Sequence, residues 1–246
     1  IKFFNREICV CAHLTQTRYV QKTCAEMWKR MTIETENLIN SICASLERIS
    51  YIRPDEIPNI ALYMDQVTTF IDERLRSTTR NPGEDKILTK TMINNYAKNN
   101  LLPPPVKKKY KKEHILVLIF IYYYKGIMSM GDIQVLLKPI TDKFFSAEEG
   151  FNLQTIYNEV FSMEKSQVEA LKEDMIQKYE TSEKTFEDAP EDSRDFLKLF
   201  SFICELSFDV YVKKLLIEKL IDQLAQTPFP DQTRESKKES KNKEKK

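Results

Sequence analysis

Apolar residues recur at helical spacing along most of this chain. From Thr35 to Ile52, Leu38, Ile39, Ile42, Leu46 and Ile49 stand three or four residues apart, which predicts a helix. Pro54 and Pro58 break it. Pro58 is expected in the first turn of the next helix, which uses Ile60, Leu62, Tyr63, Val67, Phe70, Ile71 and Leu75. The stretch "STTRNPGED", with Asn81-Pro82-Gly83 at its centre, ends that helix in a turn. A short helix is expected from about Thr89 to Asn99, with Thr89 as N-cap and Met92, Ile93 and Tyr96 as its apolar stripe. Asn100 can take the left-handed conformation that closes a helix. Pro103-Pro104-Pro105 then forces an extended path.

The chain re-enters a helix near Lys112. Its run "ILVLIFIYYY", Ile115 to Tyr124, spans about 15 Å as a helix, half of the roughly 30 Å of a bilayer core, and so predicts a buried helix. At least one ring of Tyr122, Tyr123 and Tyr124 is expected to pack inside. Another helix opens at "SMGD", where Ser129 and Asp132 fit a capping box. It carries Ile133, Leu136 and Leu137, and Pro139 interrupts it or lies just beyond its end. Phe151 to Tyr179 reads as one long helix and "ETSEKTFEDAPEDS" as a polar loop. Asp195 to Leu224 reads as a second long helix, apolar on nearly all sides and therefore expected to be buried, within its domain or against another subunit. A short ribbon around the prolines is the only strand expected, so the fold class is all-α.

Composition narrows the function. The 246 residues are 41% hydrophobic and 30% charged, as in ordinary globular proteins, and the formal charge is +1. Only 4 glycines are present, and neither GxGxxG nor GxxxxGK[ST] occurs, which excludes the usual glycine-rich phosphate loops. Five irregularly spaced cysteines do not form a disulfide framework. No secretory pattern opens the chain, so a cytoplasmic protein without membrane contact is expected. The chain starts at Ile1. Met27 and Met31 are plausible initiators, and residues 1–26 read as an extended or misassigned start.

The charge is unevenly placed. Lys86 through Lys112 holds eight lysines and no acid, whereas Ser146 to Asp195 holds fourteen acids against five bases. A lysine cluster on its own is usually a solvated loop. Here a short helix with Lys90, Thr91, Asn94, Asn95 and Lys98 off its apolar stripe precedes it. A winged helix-turn-helix has this form: a helix in the major groove and a neighbouring ribbon on phosphate. Asparagine can bond an adenine edge and lysine a guanine or a phosphate. In this reading Lys107, Lys108, Lys109 and Lys111 supply the wing charge. Tyr110 anchors the wing by its ring while its hydroxyl reaches a phosphate.

The stretches "IPNIALYMDQVTTFID", "LTKTMINNYAKNNLLPPPVKKKYKKEHI" and "GIMSMGDI" resemble the bacterial "domain of unknown function 1836" family, which is MerR-like in its helix-turn-helix. The resemblance covers about Arg53 to Phe145. It implies a recognition helix, a leucine pair before proline, a wing and a long apolar helix. The MerR pattern carries arginine and an aromatic where this chain has Asn94 and Asn95, and glycine where it has Asn100; Tyr96, Lys98, Leu101 and Leu102 fit. It also implies a homodimer made by the region after the DNA-binding domain.

The expected organisation is thus a 1–52 N-terminal extension, helical from about 35, and a MerR-like winged helix-turn-helix over 53–145. An acidic two-helix C-terminal domain over 146–226 and a disordered charged tail over 227–246 follow. The expected function is a transcriptional regulator binding double-stranded DNA. Its rival is a non-catalytic adaptor that turns the same basic face to an acidic protein. No catalytic residue, metal or cofactor is expected, and no effector is identified. Cys9, Cys11, His13 and Cys24 do not have a standard zinc spacing. Cys204 reads as a small buried residue, and nothing in the sequence joins it to His114 as a nucleophilic pair.

Overall fold

A computed structural model describes residues 35–46, 51–147 and 150–227. Its helices are α1 (Thr35–Leu46), α2 (Met64–Leu75), α3 (Lys90–Lys98), α4 (Lys112–Tyr124), α5 (Met130–Phe144), α6 (Leu153–Ser162), α7 (Glu164–Glu183) and α8 (Glu191–Gln226). Two strands, β1 (Leu62–Tyr63) and β2 (Lys109–Tyr110), pair antiparallel, with Leu62 opposite Tyr110 and Tyr63 opposite Lys109. The chain is mostly helical, as its apolar spacing implies. No described helix is long and apolar enough to cross a membrane.

The described residues form two compact units, one within 51–165 and 211–227 and the other within 35–46 and 166–210. The first is built around α4. Ile115 through Ile121 are all exposed by 2% or less. Alternating Ile115, Val117, Ile119 and Ile121 favour a strand by local propensity, but burial on every side decides for the helix. Each such side chain contributes roughly 1.5–3 kcal/mol by leaving water. Val67, Ile71 and Leu75 of α2, Ile93 and Tyr96 of α3, Ile133 and Leu137 of α5, and Leu153 and Tyr157 of α6 complete the same core. The second unit has a small core of Ile39, Met175 and Phe202, and Lys178 joins Asp174 on α7 to Asp209 on α8 at 2.6 Å.

Several expected boundaries move. The helix expected over Ile60–Leu75 begins only at Met64, and Pro58 lies outside it. Leu62 and Tyr63 are extended because they pair with β2, and the Gln66 side chain then accepts the Tyr63 N–H at 2.9 Å. Pro139 lies inside α5 and does not end it. The long helix expected over Phe151–Tyr179 breaks at Met163 into α6 and α7. Tyr157 is fully buried, and its hydroxyl donates to the Ile52 carbonyl at 2.7 Å, which ties α6 to the start of the first unit.

The apolar α8 is largely uncovered among the described residues. Phe208 and Val210 are 66% exposed, and Cys204 is exposed where a buried position was expected. Glu205, Lys213, Lys214, Glu218 and Lys219 interrupt its apolar faces, so no orientation buries them all.

The Tyr157 hydroxyl is a buried polar group hydrogen-bonded to the Ile52 carbonyl. Tyr157→Phe leaves the Ile52 carbonyl without that donor and should cost roughly 1–3 kcal/mol. Urea unfolding should show a lower midpoint at unchanged slope; an unchanged midpoint would show that α6 is not tied there.

Candidate nucleic-acid interface

The basic segment forms two elements that share one core. In α3 the Thr89 hydroxyl accepts the Met92 N–H at 3.2 Å, as expected of its N-cap. Leu88 and Ile93, at the two positions of a hydrophobic staple, are both buried. The helix ends at Asn100, whose φ is +56°. The Leu101 N–H reaches the Tyr96 carbonyl at 2.9 Å and the Asn100 N–H the Ala97 carbonyl at 3.3 Å, a Schellman closure. Asparagine does here the backbone work usually given to glycine.

With Ile93 and Tyr96 turned into the core, Lys90, Thr91, Asn94, Asn95 and Lys98 are all exposed. Their spacing of four and eight residues puts them on one face. Lys90 is ion-paired with Asp65 of α2, a partner that a separation of 25 residues gave no sign of. Gln134 of α5 donates to the Asn99 carbonyl at 3.1 Å and holds the far end of α3. A groove of about 760 Å³ beside that end is lined by Asn95, Lys98, Asn99, Met130, Gly131 and Gln134.

The lysine run is a tight hairpin. Val106 and Lys109 exchange both backbone hydrogen bonds, at 3.1 and 3.0 Å, across a two-residue turn. Lys107 and Lys108 have φ of +51° and +62°. This turn class normally carries Asn-Gly, because positive φ crowds an ordinary side chain. Two lysines at its tip therefore cost backbone energy and leave their charges exposed at the turn. Lys98, Lys107, Lys108 and Lys111 have no ion-pair partner among the described residues. The Lys109 ammonium lies 5.0 Å from the centre of the exposed Tyr63 ring.

Tyr110 is buried to 3% exposure, so its ring anchors the hairpin while its hydroxyl, expected to reach a phosphate, is buried with it. It meets His114 edge-on at 5.4 Å, and Phe145 also meets His114 edge-on at 4.7 Å. His114 Nδ1 accepts the Lys111 N–H at 2.9 Å, which leaves Nε2–H to face the Pro104 carbonyl at 3.4 Å. The imidazole stands at the third position of α4, where a capping box has Glu or Gln. It thereby clasps both ends of the hairpin. Burial holds its pKa below the ordinary histidine value. In sequence it suggested only an unsupported pairing with Cys204; a histidine three residues into an apolar helix was the available signal.

Among the described residues no group of three or more His, Cys, Asp or Glu could hold a metal ion. Cys9, Cys11, His13 and Cys24 lie outside the described residues.

Residues 52–160 match the family model described as Domain of unknown function (DUF1836). That stretch starts at the residue whose carbonyl receives the Tyr157 hydroxyl and ends within α6, close to the limits of the continuous part of the first unit. No curated protein and no solved structure matches the chain.

Two outcomes follow from the hairpin. Relieving the turn with Lys107→Asn and Lys108→Gly should raise the unfolding free energy by roughly 1–2 kcal/mol. A loss of stability in urea would contradict the left-handed turn. His114 is neutral when folded and protonates more readily when unfolded. Its stabilising contribution is therefore complete above the ordinary value of 6.5 and is lost as pH falls below it through the depressed folded value. The urea midpoint should drop between about pH 7 and 5.5 in the wild type and less steeply in His114→Phe; equal slopes would show that His114 is not held neutral.

Proposed function

We propose that this protein is a cytoplasmic DNA-binding transcriptional regulator, non-catalytic, with a MerR-like winged helix-turn-helix. In this reading α2 and α3 are the helix-turn-helix and the hairpin at Val106–Lys109 is the wing. Lys90, Thr91, Asn94, Asn95 and Lys98 face base edges in the major groove, with Asp65 orienting Lys90. Lys107, Lys108, Lys109 and Lys111 meet phosphates on the flank, and Tyr110 holds the wing in place.

The observation that carries this reading is the hairpin tip. A turn needed only for connection has no reason to hold two lysines at positive φ. Lys109 over the Tyr63 ring and Lys90 paired with Asp65, two residues on, bring the hairpin and the α3 face to the same end of α2, and exposed positive charge near an Asn- and Lys-bearing helix face is what a duplex needs. A homodimer through α8 belongs to the same proposal, supported by the exposed apolar residues there, among them Tyr211 at 64% and Leu216 at 57%. Two copies would read a pseudo-palindromic site.

Selection from a random DNA pool at low salt should enrich a defined sequence. Lys107→Glu with Lys108→Glu should weaken binding to every sequence and reduce the salt slope by about two. Asn94→Ala or Asn95→Ala should relax sequence preference and keep the slope. Absence of enrichment, together with salt-sensitive binding to polyglutamate, would favour the adaptor.

A further inference from the structure

The connection from α2 to α3, residues 76–89, is held at both ends by one turn of α4. Thr78 Oγ donates to the Leu75 carbonyl at 2.7 Å, which uses its single proton. The Tyr122 hydroxyl, 2.6 Å away, is therefore the donor to Thr78. Three residues on, the Lys125 ammonium donates to the Ile87 carbonyl at 2.7 Å and lies 4.8 Å from the centre of the Tyr122 ring. Ile87 stands two residues before the Thr89 cap of α3. Within the loop, Arg76 ties the carbonyls of Pro82 and Asp85 at 2.7 and 2.9 Å.

We propose that Tyr122 and Lys125 are positioning residues that set the direction of α3 without touching DNA, and so govern sequence selectivity. This rests on the DNA-binding reading above. The apolar anchors Ile87 and Leu88 fix how deep the loop sits, but burial is non-directional, whereas a hydrogen bond has a preferred angle. An open groove of about 430 Å³ lined by Thr78, Thr79, Asp85, Lys86, Tyr122 and Lys125 lies beside the tie. Lys125 has no ion-pair partner among the described residues, and burial lowers its pKa. A solvated surface lysine would not have its pKa lowered by burial. The α3 face needs such control because base-edge bonds discriminate only when aligned.

The test uses Lys125→Met, Tyr122→Phe and Lys125→Arg in the full chain. Two quantities are read: hydrogen exchange of the α3 amides, and affinity for the selected duplex relative to a scrambled one. In Lys125→Met and Tyr122→Phe the α3 amides should exchange faster while those of Ile115–Ile121 are unchanged. The affinity ratio should fall about tenfold, with scrambled-duplex affinity and salt slope retained. Lys125→Arg should restore the ratio. Should Lys125→Met fail to fold, Tyr122→Phe, which removes one hydroxyl, carries the test. Unchanged α3 exchange would overturn the proposal whatever the DNA result. A reduced salt slope would overturn it too, by making Lys125 a phosphate contact. Faster α3 exchange in a protein whose wild type selects no sequence would uphold the tie and remove the DNA-binding reading.

Discussion

The burial of α4 on every side is the constraint on which the first unit depends. A helix whose middle, Ile115–Ile121, has no solvent face cannot slide or rotate without losing core contacts, so whatever is attached to its ends inherits a fixed position. His114, in its first turn, holds the hairpin through the Lys111 N–H and the Pro104 carbonyl. Tyr122 and Lys125, at the other end, hold the approach to α3. Eleven residues of helix separate His114 from Lys125, about 16 Å of rise. The two basic elements are thus spaced by a rigid bar and not by a linker. Gln134 of α5 fixes the outgoing end of α3, so the helix is located at both termini.

Two apolar helices meet opposite fates, and charge placement explains the difference. Between Glu113 and Lys125, α4 has no charged side chain except a histidine kept neutral by burial, and it vanishes into the core. Acids and lysines recur every few residues along α8, so part of its surface must stay in water and apolar neighbours stay out with it. Only Phe202 and Ile221 of α8 are buried among the described residues. High apolar content is thus not enough to predict burial; an unbroken run is the stronger sign.

Much of the first unit was legible in sequence. The Thr89 and Ser129 caps, the Asn100 closure and the buried run from Ile115 are local signals that the structure keeps. The parts that were not legible depend on distant partners. Leu62 and Tyr63 fit a helical stripe until β2 claims them. The break at Met163 carries no proline or glycine, and α6 joins the core because Tyr157 finds Ile52 across 105 residues. The exposure of the α3 face could be expected from its polarity. The left-handed lysines could not, since nothing in "VKKKY" announces a turn that usually asks for Asn-Gly.

The central claim is that the α3 face and the hairpin tip form one surface for a nucleic-acid duplex. Amide chemical-shift mapping of the protein titrated with a random-sequence DNA duplex at low salt tests it most directly. The account predicts shifts concentrated in Lys90–Lys98 and in the hairpin residues 106–111, with Ile115–Ile121 unmoved. Shifts centred on α7 or α8, or no shifts in the hairpin while α3 responds, would contradict it.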